Sequence, residues 1–111
     1  MASGQLFIVV STAGPRRDIT KGAREQSWWD EHAAFINPLV DEGVILLGGP
    51  LPDEGGAVIV VRAESENDVR ATLRDDPWYV HGVLRLDSVR RWEVLVDQWR
   101  VAEPATPVDA T

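Results

Sequence analysis

The sequence predicts a single α+β domain of the ferredoxin-like βαββαβ type, an antiparallel four-stranded sheet with two helices on one face. Three observations carry that expectation. Four β-branched, apolar runs occupy residues 5–11, 44–51, 56–62 and 83–95. Two amphipathic stretches with helical spacing separate the first run from the second and the third from the fourth. A length of 111 residues supplies one hydrophobic core and is too short for two useful ones.

Each element follows from local chemistry. Residues 5–11, QLFIVVS, are bounded by Gly4 and by Ala13-Gly14-Pro15 and read as a buried strand. The polar stretch from Gly14 to Gly22 carries Arg16, Arg17 and Asp18; a loop beside a first strand often rims a binding site. A helix then begins, with Ser27 as its cap and Asp30 three residues on, although a start near Thr20 or Arg24 is also compatible. Trp29, His32, Ala33, Ile36 and Val40 fall on one helical face, with Trp28, Phe35 and Leu39 beside it, and Gly43 provides the stop. Pro38 lies inside this pattern and lacks a backbone donor, which predicts a kink or early fraying near residues 34–37.

The second and third strands flank Pro52-Asp53-Glu54-Gly55, a turn sequence that makes them a hairpin. Ser65 with Asp68 starts a second helix, Val69 and Leu73 form its apolar stripe, and Asp76-Pro77 ends it. The last strand places Leu84, Leu86, Trp92 and Val94 on one face and Arg85, Asp87 and Arg91 on the other. The domain is expected to span residues 1–97. A tail, residues 98–111, follows, and from Ala102 its Ala, Pro, Thr and Asp without periodicity predict disorder.

Composition narrows the function. With 18 acidic and 11 basic residues the formal charge is −7 and the isoelectric point near 4.7, so the chain repels nucleic acid on average. All the basic residues but Lys21 are Arg, which with abundant Ala, Val and Asp points to a GC-rich bacterial genome. No apolar run approaches the roughly 20 residues of a membrane span. Leu6 to Val10 has neither basic flank nor cleavage site, so no secretory signal is expected. The absence of cysteine excludes disulfides, thiolate chemistry and cysteine-based zinc sites, and fits a cytoplasmic protein. Five tryptophans, Trp28, Trp29, Trp78, Trp92 and Trp99, are many for this length and mark a core, an interface or a ligand pocket. The first three strands are apolar on both alternations, so both sheet faces call for cover. Helices supply only one, and a second copy of the sheet is the economical other, which predicts a homodimer.

The order of the motifs resembles the YCII-related family, the group around bacterial YciI. Trp29-Asp30-Glu31-His32-Ala33-Ala34-Phe35 matches a helical W-x-x-H-A-x-F pattern, Gly48-Gly49-Pro50-Leu51 a G-G-P-L segment, and Asp76-Pro77-Trp78 a D-P-W segment. Val89-Arg90-Arg91-Trp92 then matches a final strand ending in tryptophan, so the likeness covers about residues 5–95. Each motif is short; the order and spacing are what make it specific. The resemblance implies a dimeric α/β barrel, two sheets packed around a pocket, and a His-Asp pair that falls here on His32 and Asp76. It also implies relatives acting on small ring compounds by dehydrochlorination or related proton transfer. Pro38 and the residues after Asp97 depart from the family pattern.

The chemistry of the pair stands on its own terms. A neutral imidazole accepts a proton near neutral pH, and a carboxylate on its other nitrogen fixes its tautomer and stabilises the imidazolium. Trp28, Trp29 and Trp78 would wall a flat apolar ligand, with Gly49 and Pro50 beside it and glycine backbone allowing close approach. No serine or cysteine nucleophile motif, phosphate-binding glycine pattern or cofactor motif accompanies the pair. No cofactor is expected, and two histidines supply too few ligands for a structural metal site.

Plainer readings stay open. His32 could be a satisfied core residue, Asp76 a cap for a turn, Gly48-Gly49-Pro50 a bend at a strand edge, and the tryptophans packing. His81 reads as a solvated loop residue. Two functions from different classes are therefore carried forward. One is an enzyme using His32 and Asp76 for general acid/base chemistry on a small cyclic or aromatic substrate in a dimer pocket. The other is a non-catalytic small-molecule-binding or interaction module on the same dimer; a haem-handling barrel is a third, with no supporting feature in the sequence.

Overall fold

The alternation of large apolar side chains decides where the two faces of the sheet fall. In the computed structural model, which describes residues 4–102, β1 (Gln5–Ala13), β2 (Ile45–Leu51), β3 (Gly56–Ala63) and β4 (Leu84–Arg91) form one antiparallel sheet. The strand order is β2-β3-β1-β4, with the longest strand, β1, paired on both sides. Phe7 lies opposite Val61 and Val9 opposite both Ile59 and Val89, so these side chains share one face. Helices α1 (Trp29–Asp41), α2 (Glu66–Leu73) and α3 (Pro77–Val80) cover that face. The core is Phe7, Val9, Ile45, Val61, Val69, Leu73 and Val89, with Ile36 and Leu39 of α1 packed against it. This is a ferredoxin-like α+β fold, as the strand and helix order predicts.

Several local expectations are corrected. Among the described residues there are three α-helices rather than two: Asp76-Pro77 does not merely end α2 but opens α3, with Asp76 as N-cap and Pro77 in its first turn. Ser27 does not cap α1. Trp28 occupies that position without a side-chain bond, at φ 62°, a left-handed conformation that costs a bulky residue about 1–3 kcal/mol. The helix runs through Pro38 to Asp41 without a break, and the Glu42 amide donates to the Pro38 carbonyl at its last turn. Ser65 caps α2 as expected, its Oγ accepting from the Asp68 amide at 3.2 Å.

The final strand is shorter than predicted, and its faces change partway. The register of β4 against β1 slips between Val10 and Ser11, where Ser11 faces Leu86 but Val10 faces Ser88. The extra residue, Asp87, reverses the alternation. Leu84 and Leu86 therefore lie on the helix side together with Val89, and Arg91, opposite Phe7, follows Val89 rather than Asp87. Trp92 lies just past the strand, donating its amide to the Leu6 carbonyl at 2.8 Å.

Leu6, Ile8, Val10, Val58 and Val60 form the opposite face of the sheet, away from the helices. Leu6 and Val60 are buried there, while Ile8, Val10 and Val58 are half-buried. The segment after β4 is tied to this side by Arg62 Nη2, which donates to the Ala102 carbonyl at 3.0 Å, and is turned on itself by the Val101 amide donating to the Asp97 carboxylate at 2.8 Å. The disorder expected from Ala102 onward lies, beyond Ala102 itself, outside the described residues.

Leu73 joins α2 to this core at 2% exposure. Leu73→Ala should destabilise the domain by about 2–5 kcal/mol, read as a lower urea midpoint with an unchanged slope.

Candidate active site

Asp76 is brought to the site by the short helix it caps. A buried carboxylate needs hydrogen-bond donors, and Asp76, at 1% exposure, has two sources of them. Its Oδ1 accepts from the Trp78 amide at 3.0 Å, the capping bond of α3. Its two oxygens also lie 2.9 and 3.0 Å from His32 Nδ1 on α1. A carboxylate only accepts, so Nδ1 donates, and in the neutral ring Nε2 is the nitrogen that keeps a free lone pair. The two residues that the sequence placed 44 positions apart are thus in contact, and Asp76 caps a turn and orients a histidine at once.

The imidazole is fixed on its faces as well as at its edge. Trp78 stacks on His32 with centroids 3.8 Å apart and planes 9° from parallel, and Trp29 stands tilted at 5.7 Å. Trp78 is pinned in turn, its indole Nε1 donating to the Ser27 carbonyl at 2.9 Å. The left-handed turn at Trp28 follows directly after that carbonyl. A ring packed and hydrogen-bonded in this way has little freedom left, which is the condition for a positioned acid or base.

These groups border a cavity of about 880 Å³ between α1 and the helix side of the sheet. Val9, Ile36, Ile45 and Ile59 give it apolar walls, and His32, Asp76, Trp29 and Trp78 line it together with Gly48, Gly49 and Pro50 of β2. The two glycines differ. A Cβ at Gly48 would come within 2.6 Å of Ile59 Cγ2, so that position requires glycine for packing, whereas a Cβ at Gly49 would meet nothing within 4 Å. Of the residues expected to contact a ligand, Trp28 is not part of the lining. It packs instead on His81, with centroids 4.2 Å apart and planes 7° from parallel, and the Arg16 guanidinium lies 5.9 Å from its ring. His81 is exposed, as predicted, yet serves as that stacking partner.

Three features in and beside the cavity go further than the sequence reading, which marked the 14–22 loop as a rim without singling out Arg17. Ser11 Oγ and Tyr79 OH form a hydrogen bond of 2.6 Å, and both residues line the cavity. Gln26, at 4% exposure, organises the whole 14–26 loop: its Nε2 donates to the carbonyls of Asp18, Lys21 and Gly22, and its Oε1 accepts from the Asp18 amide. Arg17, held by that loop, lines the cavity and donates from Nη2 to the Lys21 carbonyl at 3.2 Å. Its Nε is the one buried side-chain polar atom among the described residues with no hydrogen-bond partner, a condition that costs roughly 1–3 kcal/mol. Among the described residues no group of three or more His, Asp or Glu side chains gathers to hold a metal ion.

Burial pushes the Tyr79 hydroxyl above its ordinary pKa of 10.0; the hydrogen bond from Ser11 opposes this and the negative charge of Asp76 adds to it. A raised folded value means that the associated stability is complete below about pH 10 and is lost as pH rises through the folded pKa. Tyr79 is the sole tyrosine, so tyrosinate absorbance reports it alone. Asp76→Asn should bring its titration to lower pH and Ser11→Ala to higher pH; shifts of the opposite sign would contradict this electrostatic arrangement.

Comparison with known proteins bears on the fold and the family. The chain resembles the structure of 5-chloro-2-hydroxyhydroquinone dehydrochlorinase from Burkholderia phenoliruptrix AC1100, in complex with 2,5-dihydroxybenzoquinone, with a TM-score of 0.61 and 23% identity. The match covers 79% of this chain and 93% of that one, and at this identity it speaks for the fold. No curated protein matches the sequence significantly. The sequence model of the YCII-related domain matches residues 6–93, which takes in β1 from its second residue, β2 to β4, helices α1 to α3 and both members of the His32–Asp76 pair. The chain belongs to the YCII-related domain family.

Proposed function

We propose that the protein is a small-molecule enzyme that uses His32 as general acid/base on a small cyclic or aromatic compound bound in the 880 Å³ cavity. The observation that carries this reading is the His32–Asp76 contact at 2.9 Å in the wall of an apolar cavity. Asp76 holds Nδ1–H and stabilises the imidazolium that forms when Nε2 takes a proton. Trp29 and Trp78 offer flat faces to a ring, and the Ser11–Tyr79 pair offers a hydroxyl to a ring oxygen. Apolar walls exclude water, which strengthens each of these polar contacts.

Proton abstraction by Nε2 leaves an electron pair on the ring, and that pair either expels an anionic leaving group or is reprotonated elsewhere. Neither course needs an oxidant. The fold neighbour supports the first course, because it is a dehydrochlorinase of a hydroxylated ring. The active form is a homodimer joined through the sheet face of Ile8, Val10 and Val58, an apolar strip on the side without helices.

Chlorinated and unchlorinated hydroxyhydroquinones are the first substrates to screen, with chloride release and ring absorbance as readouts. His32→Ala and Asp76→Asn should each lower kcat/KM by about 10²–10⁴ with the fold intact. Unchanged turnover in both variants would defeat the acid/base reading, and a ligand that binds but emerges unaltered would make the protein a binding module. Val10→Asp should shift the protein toward monomer in sedimentation equilibrium; a wild-type monomer would remove the dimer.

A further inference from the structure

We propose that Arg17 is the anion anchor of this cavity, so that the ring compound it takes carries an acidic oxygen, a carboxylate or phenolate, paired with the guanidinium. The inference rests on the cavity's being a ring-binding site, as proposed above, and adds the charge of the ligand. Its starting point is an accounting of the charged groups along the lining. Asp76 is bonded to His32 and to the Trp78 amide, and Glu25 Oε1 accepts from the Gly22 amide at 2.9 Å. Arg24 is exposed, so its charge is already hydrated. Among the described residues Arg17 alone combines partial burial, a place in the lining and an Nε–H that no acceptor reaches.

The loop is built to keep it there. Gln26 and Arg17 Nη2 both donate to the Lys21 carbonyl, and Gln26 closes the loop on Asp18 and Gly22 as well. Asp18, the carboxylate next in sequence, is turned to Thr20, accepting from its amide at 2.9 Å and its hydroxyl at 2.6 Å, and lies 3.9 Å from Lys21 Nζ. On the other side the Arg17 stem runs beside Gly55, where even a Cβ would sit 3.7 Å from Arg17 Cγ and Nε. Among the described residues the guanidinium is therefore held with a donor unpaired and no carboxylate in ion-pair contact. The Asp18 carboxyl, held below its ordinary pKa chiefly by the Thr20 hydrogen bonds, feels the Arg17 charge only weakly. A planar fork of donors suits a carboxylate or phenolate oxygen, and the charge makes the pair stronger than a neutral one. With a net charge of −7, the protein as a whole repels anions, so a cation in the cavity decides whether one enters.

The test compares 4-hydroxybenzoate with its neutral counterpart 4-hydroxybenzamide by ¹H–¹⁵N NMR titration of the full chain. The indole signals of Trp29 and Trp78 report cavity occupancy, and the Arg17 Nε–Hε signal reports the anchor. Wild type should bind the benzoate about tenfold more tightly than the amide, with the Arg17 signal moving for the benzoate. Arg17→Gln should abolish that preference, and Arg17→Lys, which keeps the charge without the fork, should retain part of it. Equal affinities in wild type, or an undiminished preference in Arg17→Gln, would overturn the anchor while leaving the ring-binding cavity in place. If neither probe moves the two indole signals, the cavity reading itself fails and the anchor with it.

Discussion

The carboxylate of Asp76 is the constraint on which the site depends. It is almost fully out of solvent, and a charge in that position persists only if donors surround it. One donor comes from its own chain two residues on, the Trp78 amide, and this bond is also what starts α3. Another comes from His32, on a helix that belongs to the other half of the fold. The same side chain thus ends the connection from α2, begins a new helical turn, and ties α1 to the segment leading into β4. Because Trp78 is placed by that turn and stacks on His32, the position of the imidazole is determined twice, once through its nitrogen and once through its face.

Helix α1 shows how the fold makes room for a ligand. Its apolar stripe would ordinarily be sunk into the core, yet no residue of α1 is fully buried. Trp29, His32, Ile36 and Val40 line the cavity instead, and Val40 remains 49% exposed. The fully buried core contacts come from α2, whose Val69 and Leu73 are closed off against Phe7, Val9, Val61 and Val89, while Ile36 and Leu39 of α1 pack against that core only partly buried. The helix that packs less deeply is the one that carries the histidine.

The segment between β1 and α1 shows where a sequence reading runs short. Its polarity marks it as a loop, and the presence of Arg16, Arg17 and Asp18 marks it as a rim, but nothing in that composition distinguishes the three. In the structure Arg16 lies over Trp28, Asp18 is taken up by Thr20, and Arg17 is left against the cavity. The residue that sorts them is Gln26, an uncharged side chain outside any motif whose amide bonds four backbone groups at once. The Ser11–Tyr79 hydrogen bond was equally illegible, since its partners are 68 positions apart and neither belongs to a recognisable pattern.

The sequence alone determined the elements whose causes are local: the alternation of β1 and β3, the hairpin at residues 52–55, the Ser65 cap and the paired apolar stripe of α2. The order of those elements carried the fold, and the motif around His32 and Asp76 carried the family. What only the tertiary structure decided were the features caused by contacts across the chain. The bulge at Asp87 reverses the faces of β4 because β1 and β4 must both present apolar residues to the helices. Trp28 leaves the cavity because a left-handed turn, in place of a serine cap, sends it toward His81. Spacing along a chain predicts which side chains share a face, since that follows from helix and strand geometry. Which of those side chains meet a partner from elsewhere is set by how the faces pack, and that is where the site's second layer was made.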